Sequence, residues 1–177
     1  KIKVGLIFGG NSSEYEVSIM SAHNIYEEID TNKFDVYPMW ITNDGYLADD
    51  ADSRRVLDNP KMEVANPHKV ANISNIVELK DRPEIDVFFP IVHGNLGEDG
   101  CLQGLFRVLD KPFVGDDVLA AAVTMDKEMT KILAQRAGVP VAKWIAVKRF
   151  EYNDPDNEKL DCEYVASQLG SDLFVKP

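Results

Sequence analysis

The chain has 177 residues, 45% hydrophobic and 28% charged, and 30 acidic against 19 basic side chains give it a net charge of −11. That length fits one ordinary domain, or one domain plus part of another. The acidic balance argues against nucleic-acid or anionic-membrane partners, which need a basic face, but it leaves room for a local phosphate site built from two lysines.

Lys3-Val4-Gly5-Leu6-Ile7-Phe8 reads as a buried first strand, and Gly9-Gly10-Asn11 as the turn after it. Ser13 and Glu16 stand at capping-box spacing before a helix on which Ala22, Ile25, Tyr26 and Ile29 share a face. Phe34 to Ile41 alternates like a strand, so the βαβ order predicts a parallel pair with a right-handed crossover. Asn43-Asp44-Gly45 is a turn signal, and the rest of 43–80 reads as short strands in a peripheral excursion. Ile85 to Val92 is the next strand, and Leu102, Leu105, Phe106 and Leu109 form the apolar stripe of a following helix. Pro112 to Gly115 reads as a short strand and Asp117 to Thr124 as a short helix.

A boundary is expected near Thr124. Met125-Asp126-Lys127 opens a helix that ends at Ala137-Gly138, with Pro140 just beyond. Val141 to Lys148 reads as a strand, and Leu160, Tyr164 and Val165 as one face of a helix closed by Gly170. Leu173 to Lys176 reads as the start of another strand. Fold class is therefore α/β. An open, Rossmann-like parallel sheet is expected over 1–124, and the first part of a second, α+β domain over 125–177.

The stretch richest in chemistry is His93-Gly94-Asn95-Leu96-Gly97-Glu98-Asp99-Gly100, followed by Cys101. Three glycines in eight positions describe a loop that bends tightly or lets a ligand approach. It follows a buried strand, and open α/β sheets bind ligands at the carboxyl ends of their strands, so this loop reads as one wall of an active site. His93 suits a ligand contact or a hydrogen-bonded loop histidine equally. Glu14, at the start of the first helix, suits either an acid complementing the helix dipole or a carboxylate that holds a substrate ammonium. Lys127 and Lys176, taken singly, are ordinary surface lysines. The first glycine turn is no dinucleotide fingerprint: the glycines are Gly5, Gly9 and Gly10, and the second strand ends Trp40-Ile41-Thr42 without an acid.

Cys101 and Cys162 sit alone and far apart, outside any disulfide framework or metal cluster, which fits a reducing cytosol. No apolar run approaches the ~20 residues of a membrane span. No signal peptide pattern is visible; the chain opens without Met and closes on Val175-Lys176-Pro177, and both ends read as cut.

Taken together, the run from Gly9 to Ser18 (GGNSSEYEVS), HGNLGEDGCLQG from His93, Met125-Asp126-Lys127 and Val175-Lys176-Pro177, in this order and spacing, resemble the D-alanine–D-alanine ligase family of ATP-grasp enzymes, its D-alanine–D-lactate members included. The resemblance spans essentially the whole chain, although 43–80 matches only in position. It departs at Cys101, where the family usually has Thr; that position is expected to serve packing. By this resemblance Glu14 would hold the ammonium of the first D-alanine, with His93 and Gly94 beside the same substrate. Lys127 and Lys176 would contact the ATP phosphates. The activity implied is ATP-dependent ligation of two D-alanines through an acyl phosphate, for peptidoglycan precursors and the cell wall. ATP and Mg²⁺ are the implied cofactors, and no metal ligand is assigned within these residues. A cytoplasmic homodimer is implied, with no nucleic-acid or membrane partner. The competing readings are a non-catalytic, ligase-like binding fragment and another ATP-grasp carboxylate–amine ligase.

Overall fold

Strand β1 (Ile2–Gly9) buries Val4, Leu6, Ile7 and Phe8 in succession, as a strand covered on both faces must. In the computed structural model, which describes residues 1–72, 84–154 and 157–176, it is an interior strand of the sheet, flanked on both sides. β2 (Phe34–Ile41) pairs with it in parallel from Ile2↔Phe34 to Gly9↔Ile41. β5 (Val87–Pro90) pairs in parallel on its other side, from Val4↔Val87 to Ile7↔Pro90.

The sheet is mixed rather than wholly parallel, in the order β4-β3-β2-β1-β5. β3 (Tyr46–Ala48) runs antiparallel to β2 at Ile41↔Leu47, and β4 (Lys69–Asn72) antiparallel to β3. The reason is local. Only Thr42–Gly45 separates β2 from β3, and a parallel return needs about a dozen residues or more. Part of the predicted excursion, 73–80, lies outside the described residues. The expected strand at Pro112–Gly115 is a single parallel bridge, Phe88↔Phe113, beside β5.

Period-two alternation divides the core between two faces. Leu6, Phe8 and Trp40 pack with Ile19 and Ala22 of α1 (Tyr15–Glu28) and with Val56 and Leu57 of α2 (Asp50–Asp58). Ile7, Met39, Ile41 and Phe88 pack with Leu102 and Phe106 of α3 (Cys101–Val108). The Phe88 and Phe106 rings stack with centroids 5.1 Å apart. α4 (Val118–Met125) follows.

The chain divides into two compact units, Lys1–Met125 and Asp126–Pro177. In the second, α5 (Lys127–Arg136) is capped by the Asp126 carboxylate, which accepts from the amides of Glu128 and Met129 at 3.0 Å each. Asp161 caps α6 (Cys162–Leu169) through the Tyr164 amide at 2.7 Å. The strands expected at 141–148 and 173–176 are not formed among the described residues. β-rich composition makes a strand only where another strand completes the ladder, and neither segment has one here.

Candidate functional site

The site of the first unit is built where β1 and β5 end. The chain leaves β1 through Gly9 and Gly10, at φ +89° and +101°. A Cβ on Gly9 would stand 2.1 Å from the Ile41 carbonyl oxygen, so the neighbouring strand itself demands glycine there. Ser18, on the first turn of α1 and fully buried, ties the two strand ends together. Its hydroxyl accepts from the Gly9 amide at 2.8 Å and donates to the Ile91 carbonyl.

Ser12 makes the second tie. Its hydroxyl donates to the His93 carbonyl at 2.8 Å and accepts from the Glu14 amide at 3.2 Å. The predicted capping box of Ser13 and Glu16 is not formed. Helix α1 starts at Tyr15, Glu14 is its N-cap residue, and no side chain caps it. The Glu14 carboxylate, exposed to solvent, faces Gly94 instead: a Cβ there would lie 3.0 Å from Glu14 Oε2.

The glycine loop is held from within by carboxylates. Glu98 accepts from the Gly94 amide at 2.7 Å, and its other oxygen lies 3.8 Å from His93 Nδ1. His93 Nε2 is in hydrogen-bond contact with Ser21 Oγ of α1 at 3.2 Å. His93 is thus a hydrogen-bonded loop histidine whose ring bridges α1 and the loop. Asp99 accepts from the amides of Leu96 at 2.9 Å and Cys101 at 3.0 Å. Partial burial pushes the Asp99 carboxyl up, but these amides outweigh it and hold the group below the usual carboxylate range. Gly97 sits so close to Val92 that a Cβ would meet its carbonyl oxygen at 2.0 Å.

Cys101, expected to serve packing, is exposed. As the first residue of α3 its side chain projects outward, and its hydrogen bond to Asp99 pushes the thiol above its ordinary range. The thiol is therefore a poor nucleophile.

The structure brings Glu14, His93 and Gly94 together, with Ser12 as the pin. Lys127 and Lys176 belong to the second unit, Lys127 exposed on the first turn of α5 and Lys176 exposed in the extended segment after α6. Sequence reasoning missed the roles of Ser12, Ser18, Ser21 and Glu98. One usable signal was the three-residue spacing of Ser18 and Ser21, which puts both hydroxyls on the helix face toward the loop.

Chemically, the first unit offers an exposed carboxylate set against a glycine on which a side chain would press on Glu14 and Ser12. A histidine fixed from two sides flanks it. An exposed carboxylate of this kind can pair with an ammonium group. Among the described residues, no group of three or more His, Cys, Asp or Glu could hold a metal ion. Nor is any helix among them long and apolar enough to cross a membrane.

The family model described as "D-ala D-ala ligase N-terminus" matches residues 3–116. The D-alanine–D-alanine ligase of Lactobacillus johnsonii is 98% identical over all 177 residues, which cover 49% of that protein. A D-Ala:D-Ser ligase structure from Enterococcus faecalis shares 35% identity and superposes with a TM-score of 0.68, over 96% of this chain and 50% of that one. The Bacillus anthracis D-alanine–D-alanine ligase, solved in complex with ATP, shares 25% identity with a TM-score of 0.59, over 89% and 43% of the two chains. The chain spans about half the length of the curated relatives it matches. With a matched N-terminal model, this identity and this shared geometry, the chain belongs to the D-alanine–D-alanine ligase family.

Proposed function

We propose that this chain forms the N-terminal half of an ATP-dependent D-alanine–D-alanine ligase. The observation that carries the reading is the Glu14 carboxylate set against Gly94, in a loop pinned by Ser12 and His93. In this reading Glu14 holds the ammonium of the first D-alanine, while His93 and Gly94 line the same subsite.

The substrate carboxylate takes the terminal phosphoryl group of ATP and ADP leaves. The amine of the second D-alanine then attacks the acyl phosphate, forming the amide and expelling phosphate. Positioning and charge neutralisation dominate such transfers. Lys127 and Lys176 are assigned to the phosphates, as compact charges on flexible stems. Support for ATP as the phosphoryl donor comes from the Bacillus anthracis relative, whose structure holds it. Magnesium belongs to this reading through the family likeness alone, and no step is assigned to it here. D-Alanine is preferred as second substrate because the 98% identical relative is a D-alanine–D-alanine ligase, whereas the D-Ala:D-Ser relative shares 35%. Residues 125–177 are assigned to the opening of the ATP-grasp domain, and the whole enzyme to a cytoplasmic homodimer.

The test is an assay of the full-length protein with ATP, Mg²⁺ and D-alanine. Dipeptide and phosphate should form in equal amounts, and sedimentation should give a dimer. ATP hydrolysis without dipeptide, or no turnover with D-alanine, would overturn the assignment.

A further inference from the structure

Helix α3 buries Leu102 and Phe106 in the core, and beside Leu102 it buries an amide, Gln103, only 7% exposed. Gln103 Nε2 donates to the Gly97 carbonyl at 2.9 Å, in the middle of the glycine loop. Its Oε1 is buried too and has no hydrogen-bond partner among the described residues. Turning the amide over would set that oxygen against the Gly97 carbonyl, acceptor against acceptor. The side chain therefore keeps the one orientation that serves the loop.

Half of this amide works against stability. A buried acceptor without a donor costs more than an ordinary hydrogen bond returns. An apolar side chain of the same length would fill the position without that cost. A local rule broken without local gain is expected where position matters more than stability.

What the amide positions is the loop that faces Glu14. Gly97 lies so close to the Val92 carbonyl that only glycine fits, and a Cβ on Gly10 would stand 2.7 Å from Val92 Cγ1. The Gly97 and Glu98 amides both donate to the Gly94 carbonyl, at 3.2 and 3.0 Å. Gly97 and Gly94 are thus parts of one tight turn. Ser12 holds it at the His93 end, and Gln103 is the side-chain tie from α3 at the other.

We propose that Gln103 is a positioning residue: through the Gly97 carbonyl it sets where Gly94 stands against Glu14, and with it the fit of the first D-alanine. This rests on the reading of Glu14 and Gly94 as that subsite.

The test uses the full-length enzyme and Gln103→Met, which keeps the length of the side chain and removes its donor. Hydrogen exchange, read by mass spectrometry on peptides spanning 92–101, should quicken about tenfold at the loop amides and stay unchanged in α2. The first-site KM for D-alanine should rise about three- to tenfold, the loss expected for one hydrogen bond, with kcat and the KM for ATP within about twofold of wild type. Tm should stay within about 5 °C. Phe106→Leu separates position from stability. It loosens α3 on Phe88 and lowers Tm but keeps the amide, so its first-site KM should be that of wild type. Wild-type loop exchange in Gln103→Met overturns the role of Gln103. So does a Gln103→Met protein that fails to fold, which would make the amide a stability group, or an equal rise in first-site KM in Phe106→Leu. Faster loop exchange with an unchanged first-site KM overturns the subsite reading instead.

Discussion

Gly94 stands against the Glu14 carboxylate, so closely that a Cβ on it would lie 3.0 Å from Glu14 Oε2. The two residues are 80 positions apart. They meet because the Ser12 hydroxyl donates to the carbonyl of the residue before Gly94, and Glu98 accepts the Gly94 amide. The left-handed backbone at Gly94, φ +76°, keeps that position free of a side chain.

Glu14 is an exposed N-cap residue without a capping hydrogen bond, so Glu14→Gln should cost well under ~1 kcal/mol of stability. If it holds the substrate ammonium, the full-length variant should melt normally and keep its ATP affinity, but lose ~10-fold or more in affinity for the first D-alanine. Steady-state kinetics resolved for the two D-alanine sites decide. Wild-type values at the first site would return Glu14 to a purely structural part.

Replacing Lys127 or Lys176 with Met in the full-length enzyme should leave the fold intact, since both are exposed. Each charge-assisted phosphate contact contributes roughly 1.5–3 kcal/mol, so the KM for ATP should rise about ten- to a hundredfold. Unchanged ATP kinetics in both variants would remove them from the nucleotide site.

Ser18→Ala removes the one hydroxyl that ties Gly9 to Ile91 and leaves a buried amide and a carbonyl without that partner. Stability should fall by about 1–3 kcal/mol, read from urea unfolding of the chain. A change below ~0.5 kcal/mol would mean that water replaces the hydroxyl and that the tie is dispensable.

Acid should loosen the glycine loop. The Asp99 carboxyl titrates below its ordinary value in the folded chain, so its contribution to stability is present above the unfolded pKa. That contribution is lost as pH falls from ~4 through the lower folded value. Asp99→Asn should therefore flatten the decline of stability below about pH 4, seen in urea midpoints across a pH series. Parallel curves for both proteins would show that the hydrogen bonds from the Leu96 and Cys101 amides to Asp99 do not survive in solution.

The apolar run from Val4 to Phe8, the stripe of Leu102 and Phe106 and the glycines around His93 were legible in the sequence because each is written in local spacing. Burial periodicity and a demand for positive φ act within a few residues, so a linear reading reaches them. Glu14, His93 and Gly94 were put beside one substrate before any fold was known only through the family resemblance, since local spacing left Glu14 and His93 each with a structural reading as well. Tertiary structure alone decided what lies between them. The antiparallel β3 and β4 depend on a turn too short for a crossover, and the extended segment at 141–148 is no strand because a strand exists only with its partner. Ser12 at His93, Ser18 at Ile91 and Ser21 at the imidazole are contacts across 72 residues or more. A serine hydroxyl has no preferred partner along the chain. Which carbonyl or ring nitrogen it meets is settled only when the two strands, packed side by side, bring their loops to one end of the sheet.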